Sequence, residues 1–251
     1  MIFKTGILSA FHPVTLEEMG KIRLMNRVDT KYMTTHDGLC RFLSGMEEAY
    51  DIQETLHSRL CPYQTLYLDT LAADMYLAHH NRRGTRKKIR IRKYVDSRLY
   101  FLEVKDRSSK GRTCKTRIRI PEYVYAPDEA VRHFLCNHTS FTLGELSPHV
   151  EIDYHRITLV DRMKSERLTV DLNLAFRNRR TGQSEALPGL VIIERKQESG
   201  KPSRGGERLA QLGIRPVGLS KYCIGSVMTD PSLKHNLFKP KLRQINRLIN
   251  L

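Results

Sequence analysis

The sequence predicts an α+β fold in which an antiparallel β-sheet curls into a closed barrel lined with Arg and Lys and flanked by helices. Three observations lead there. Stretches with period-two alternation outnumber helical stretches and follow one another at hairpin spacing, the pattern of an antiparallel sheet. In several of them the alternation is written in charge as much as in hydrophobicity, Lys88, Arg90 and Arg92 against Ile89 and Ile91 being the clearest case. Finally, 251 residues that are 40% hydrophobic can bury one sizeable core, with no repeat, low-complexity tract or Gly/Ser linker to divide it.

The elements read in order as follows. Residues up to Gly20 are irregular except for Thr15-Leu16-Glu17-Glu18, a helix start with a capping Thr. A strand over 27–33 precedes a helix over 39–50, introduced by Thr35-His36-Asp37-Gly38. Strands over 65–69, 88–94, 100–105 and 115–120 follow, then a helix over 128–136. The strand series resumes over 150–159, 167–174 and 190–196. A short helix over 207–212 ends at Gly213. The main domain is expected over 1–228, and 229–251 is a basic helical segment with Leu237, Leu242, Ile245, Leu248 and Ile249 at roughly helical spacing. Its plainer role is packing on the same domain; the alternative is docking on anionic lipid or a membrane-protein partner.

Charge narrows the function classes. Lys and Arg number 43 against 27 Asp and Glu, a formal net charge of +16, so the partners to consider are nucleic acid, anionic membrane, nucleotides and inorganic phosphate chains. An RNP-like aromatic pattern, a KH loop and Trp are all lacking, which argues against nucleic acid. The five cysteines are scattered, never in CxxC spacing, and read as reduced, mostly buried thiols. No run of the sequence has the length of a signal-peptide core or a membrane span, so the expected address is the cytoplasm. His79 and His80 lack partners at metal-triad spacing and read as surface or loop residues.

A single basic strand face can simply point to water. Several such faces side by side would repel one another unless an anion neutralised them, and a polyphosphate enclosed by Arg forks and Lys point charges would do so. Acids are embedded among these bases. Glu103 shares a face with Lys105, and Glu194 with Lys196. Each is either an on-strand charge balance or a ligand for Mg²⁺ or Mn²⁺, hard ions that bridge carboxylate to phosphate. Glu194 is the stronger metal candidate, because it follows the apolar run Leu190-Val191-Ile192-Ile193 into a packed strand.

The order of motifs from Arg27 to Tyr222 resembles the VTC domain, the catalytic module of polyphosphate polymerases in the triphosphate tunnel metalloenzyme superfamily. The matching pieces are Arg27-Val28-Asp29-Thr30-Lys31-Tyr32, Tyr67-Leu68-Asp69-Thr70, Lys88 to Arg92, Phe101 to Lys105, Tyr154-His155-Arg156, Arg167 to Asp171, Ile193 to Lys196 and Leu219-Ser220-Lys221-Tyr222. The resemblance implies a tunnel that binds ATP with Mn²⁺ or Mg²⁺ and transfers the γ-phosphate to a growing polyphosphate chain, with pyrophosphate among the partners. Carried over by motif, Arg27, Lys31, Arg90, Arg92, Lys105, Lys115, Arg156, Arg167 and Lys221 become phosphate ligands. Tyr154 lies near the nucleotide, and Arg117, Lys196 and Ser220 extend the substrate set. Glu194, with Glu103, holds the metal, and catalysis falls to Arg90, Arg92, Lys105, Glu194 and Lys221. Related triphosphatases carry an ExExK first strand, whereas Arg27-x-x-x-Lys31 has only Asp29 between, which favours polymerase. A tunnel triphosphatase and a non-catalytic binder of polyphosphate or RNA are the rivals.

Overall fold

The charge-alternating stretches form one sheet. The structure is a computed structural model that describes residues 3, 5–21, 27–122, 128–199 and 201–250. Its strands are β1 (His12–Val14), β2 (Arg27–Thr34), β3 (Tyr50–Gln53), β4 (Cys61–Asp69), β5 (Arg86–Tyr94), β6 (Leu99–Arg107), β7 (Thr113–Ile120), β8 (Ser147–Asp161), β9 (Glu166–Asn178), β10 (Ser184–Leu187) and β11 (Val191–Glu198). The main path runs β2-β11-β9-β8-β4-β5-β6-β7, every neighbouring pair antiparallel. The sheet curls, but among the described residues no ladder joins β2 to β7. The described residues thus form an antiparallel, curled half-barrel sheet with flanking helices, and the outer edge of β2 carries a bridge from Tyr32 to Pro216.

Its convex side is dry. Strand parity sends Ile157, Leu159, Leu168, Val170, Val191 and Ile193 outward onto helix α2 (His36–Leu43), where Leu39, Phe42 and Leu43 are fully buried. On the other flank Leu66, Ile89, Ile91, Leu102 and Val104 meet Phe134 and Leu135 of α4 (Glu129–His138), whose first turn is capped by Asp128. Thr15 caps α1 (Leu16–Lys21): its Oγ1 donates to Glu18 Oε2 at 2.7 Å and accepts from Glu18 N at 3.2 Å. Helix α2 is shorter than the expected 39–50. Ser44 ends it and Gly45 follows at φ +81°, a left-handed position that glycine takes without strain, so the chain turns into β3 instead.

The concave side is divided. A bulge around Tyr154 and Asn173, the latter at φ 53°, shifts the parity of β9 so that Asp171 and then Leu174 and Phe176 all face inward. The apolar half so formed is covered by α6 (Lys221–Thr229), which approaches β9 so closely that a Cβ on Gly225 would lie 2.4 Å from the Phe176 ring. Helix α3 (Asp74–His80) adds Tyr76 to this core, and α7 (Lys239–Ile249) adds Ile245. Buried Asp69, at the end of β4, accepts from the Met75 and Tyr76 amides of α3 and from the Tyr222 hydroxyl, tying two helices to the sheet. His79 and His80 belong to α3, and His80 is buried beneath Phe238 with Nε2 accepting from Leu237 N, so the surface reading is corrected. The cysteines are free, but Cys114 and Cys136 are exposed and only Cys61 and Cys223 are buried, which corrects the mostly buried reading. No helix among the described residues is long and apolar enough to cross a membrane.

Candidate functional site

The other half of the concave side is charged, and register places its residues. Lys31 lies opposite Glu194, which lies opposite Thr169; Arg156 lies opposite Asp171. Across the sheet Lys88 is opposite Lys105 and Lys105 opposite Lys115, while Arg90 is opposite Glu103 and Glu103 opposite Arg117. The inward parity is thus continuous from β2 to β7, and Arg195 points away, donating to Ser203 Oγ at 2.7 Å.

Asp29 lines the exposed β2 edge of this side, and three further acids stand deeper among the bases. Glu103 is fully buried: Arg90 donates from Nε at 2.8 Å and Nη2 at 2.6 Å to one oxygen, Lys115 donates at 2.9 Å to the other, and Arg92 lies 4.0 Å away. Burial pushes its carboxyl up, but Arg90, Arg92 and Lys115 together outweigh that and hold it well below the usual carboxylate range. Asp171 accepts from Arg156 at 2.6 and 2.8 Å and from Lys221, and although burial again acts upward its carboxyl is lowered to about 2. Glu194 is different. Among the described residues its one close ion pair is a loose 3.7 Å contact with Lys196, and burial is outweighed by the charges of Lys196, Lys31 and Lys105, which hold it well below its ordinary value.

A cavity of roughly 1330 Å³ opens beside Glu194, lined by Lys31, Lys88, Lys105 and Lys115 and, further out, by Arg82 and Arg112. Burial, then the charge of Arg90, pushes Lys105 down to about 6, and burial pushes Lys88 down to about 8. These ammonium groups are short of counter-charge, which is what a polyanion supplies. Arg92 Nε, Thr65 Oγ1 and Thr169 Oγ1, all on the concave side, are buried with no hydrogen-bond partner among the described residues.

The segment before α6 closes this cavity on one side. Lys31 Nζ donates to Leu219 O at 3.0 Å, and Lys88 Nζ to Ser220 Oγ at 2.8 Å; Ser220 also caps α6. Lys221 Nζ lies 4.3 Å from the Tyr154 ring centroid, and Tyr154 stacks on Tyr63 at 5.5 Å. Burial pushes the Tyr154 hydroxyl up, but Arg92, Arg156 and Lys221 bring it below its ordinary value.

Most of the residues singled out in the sequence come together here. Arg90, Arg92, Lys105, Lys115, Lys31, Arg156, Lys196, Lys221, Ser220, Tyr154, Glu103 and Glu194 all sit on or against the concave side. Arg117 has the inward register but is exposed at the sheet rim, over Phe101 at 4.5 Å, and Arg167 ties down α1 through Met19 O at 3.1 Å. Arg27 opens β2 opposite Glu198, and its side chain lies outside the described residues. Two participants were not among the assigned ligands: Lys88, although parity had already grouped it with Arg90 and Arg92, and Asp171, which parity places on the face of Arg167.

The acids set limits on a metal. Among the described residues no three His, Cys, Asp or Glu side chains cluster to form a protein-only site. Both Glu103 oxygens are taken by bases, as are those of Asp171. Of Glu103, Asp171 and Glu194, it is Glu194 that keeps room for a cation among the described residues. A divalent ion fits when phosphate oxygens and water complete its shell, the usual habit of Mg²⁺.

The VTC domain family model matches residues 26–229 of this chain. No curated protein matches it in sequence. Among solved structures, a candidate adenylate cyclase from Bacillus halodurans is 13% identical with a TM-score of 0.49, covering 78% of this chain and 96% of its own. A candidate adenylyl cyclase from Hippeastrum, described as revealing a dominant triphosphatase activity, is 15% identical with a TM-score of 0.49, covering 85% of this chain and 99% of its own. The PH1819 protein from Pyrococcus horikoshii is 14% identical with a TM-score of 0.46, covering 80% and 98%.

Proposed function

As the chain belongs to the VTC domain family, we propose that it is a metal-dependent polyphosphate polymerase that transfers the γ-phosphate of ATP to a polyphosphate chain held on the concave side of the sheet. The observation that carries this reading is the cavity in which Lys31, Lys88, Lys105 and Lys115 surround the under-coordinated Glu194.

The acceptor's terminal oxygen attacks the γ-phosphorus, the bond to the β-phosphate oxygen breaks, and ADP leaves with the chain one phosphate longer. Little covalent help is needed, since the transition-state charge spreads over the equatorial oxygens and positioned cations stabilise it. Lys31, Lys88, Lys105 and Lys115 supply compact charges that follow those oxygens. Arg90 and Arg156 are held in fixed orientation by Glu103 and Asp171, and Arg92 stands 4.0 Å from Glu103. Lys105 regains its proton beside a phosphate. A divalent ion, Mn²⁺ or Mg²⁺, held at Glu194 would neutralise charge on the transferring group. Tyr154 and Arg156 are the proposed neighbours of the nucleotide.

The choice of transfer over hydrolysis is supported by the state of the acids. Glu103, Asp171 and Glu194 are all held below the usual range, so none is a base poised to activate water, whereas a phosphate acceptor arrives already ionised. The test is incubation with ATP and Mn²⁺, products resolved by size, with Glu194→Gln beside the native chain. A ladder of phosphate chains absent from the variant is the expected result. Orthophosphate alone would establish a triphosphatase, and tight binding without turnover a receptor.

A further inference from the structure

Charge on the concave side is balanced in one direction along β5 and β6 and not in the other. On one side of the Lys88–Lys105 pair the next inward pair is Arg90 with Glu103, and that acid also binds Lys115. On the other side the next pair is Arg86 with Arg107, two bases directly opposite each other that both line the cavity. Like charges so placed repel, and a bound polyanion relieves the repulsion. Unbalanced charge therefore runs from the inner lysines toward the Arg86 end of the cavity.

Two loops stand at that end, 81–86 leading from α3 into β5 and 107–113 joining β6 to β7. They touch, since a Cβ on Gly84 would lie 3.6 Å from Ser109 Cα. Both are held in place: Arg83 N donates to Ala78 O at 3.0 Å, and Ser108 N donates to Arg112 O at 2.9 Å across the hairpin turn. Arg82, Gly111 and Arg112 line the cavity and are also exposed, so its lining reaches solvent here. Arg83 and Lys110 are exposed beside them. Neither 81–88 nor 107–120 contains an Asp or Glu. Lys87, of opposite parity, is by contrast paired with Asp106 at 2.7 Å. Lys241 of α7 lines the same cavity, and no acid follows Asp230 in the sequence.

The occupant that fits is the part of a polyphosphate chain that outgrows the cavity. It is continuous with the phosphates inside, and its charge repeats along its length, so exposed Arg and Lys side chains meet it in any register. We propose that loops 81–86 and 107–113 form a landing outside the cavity for the far part of a polyphosphate chain, which makes the protein select long chains over short ones. The inference rests on the polyphosphate reading of the cavity.

The test is the double variant Arg83→Glu and Lys110→Glu, at two exposed positions that do not line the cavity. It is titrated calorimetrically with long polyphosphate and with tripolyphosphate, which is short enough to lie within a cavity of roughly 1330 Å³. Affinity for long polyphosphate should fall about tenfold or more at low salt, the loss should shrink as salt is raised, and tripolyphosphate affinity should stay within about threefold of native. An equal fall for both ligands overturns the landing and leaves the cavity reading intact. An unchanged long-chain affinity also overturns it, and loss of binding to phosphatidylserine vesicles by that variant would assign the loops to a membrane instead. Failure of the native chain to bind either polyphosphate overturns the cavity reading, and the landing with it.

Discussion

Glu103 on β6 and Glu194 on β11 face the same concave surface from opposite flanks, and their surroundings differ. Glu103 is fully buried, with both oxygens bonded to Arg90 and Lys115 and with Arg92 near by. Glu194 has one loose contact, with Lys196, among the described residues, although the charges of Lys31 and Lys105 also bear on it. A saturated buried acid holds its cations in place and has no capacity left for a ligand, whereas an under-coordinated acid beside a cavity keeps that capacity. Identical residue types on equivalent faces therefore divide into a scaffold and a site, and the division is made by cross-strand partners.

Substitutions can break or sharpen this contrast. The largest effect is expected from Glu103→Gln, which leaves Arg90, Arg92 and Lys115 without their common counter-ion and should cost about 3–5 kcal/mol of stability in denaturant titrations. Glu194→Gln should leave the fold largely intact and lower metal-dependent turnover by about 10²-fold, measured with ATP as substrate. Lys88 gives a smaller and pH-dependent effect. Burial holds its pKa at about 8, and a bound phosphate raises it, so binding takes up a proton. Affinity for long polyphosphate should therefore strengthen by about tenfold as pH falls from about 10 toward 8, and Lys88→Met should flatten that part of the profile, while Lys105, held at about 6, extends the rise toward pH 6. The smallest change is expected from Arg117→Ala at the exposed rim, a loss of affinity of about threefold or less.

Much of this arrangement was legible in the sequence, because a strand's period of two assigns faces without knowledge of the fold. The parity that groups Lys88, Arg90 and Arg92, or Glu194 and Lys196, survives in the structure, and it holds for Lys115, Arg117 and Arg119 as well. What parity cannot show is which strand lies alongside. That Glu103 meets Arg90 and Lys115 while Glu194 meets Lys31 is a matter of register between strands, so the apolar run before Glu194 could favour it as the metal candidate but nothing in the sequence marked Glu103 as saturated. Helix α6 gave no amphipathic signal, since Tyr222, Cys223, Ile224, Gly225, Ser226 and Val227 are all buried and no stripe stands out. Helix α3 is short and depends on Asp69 from a neighbouring strand for its first-turn amides. The bulge at Asn173, which turns Asp171 and Phe176 to one face, likewise has no local pattern that marks it.

The division between scaffold and site is tested most directly by calorimetric titration of the native chain and of Glu194→Gln with tripolyphosphate, each with and without Mn²⁺. Without metal the variant should bind at least as tightly as the native chain, since a negative charge has left a site for an anion, while the gain in affinity that Mn²⁺ gives the native chain should disappear. A variant that keeps the full Mn²⁺ gain, or that loses metal-free binding, would contradict the role assigned to Glu194.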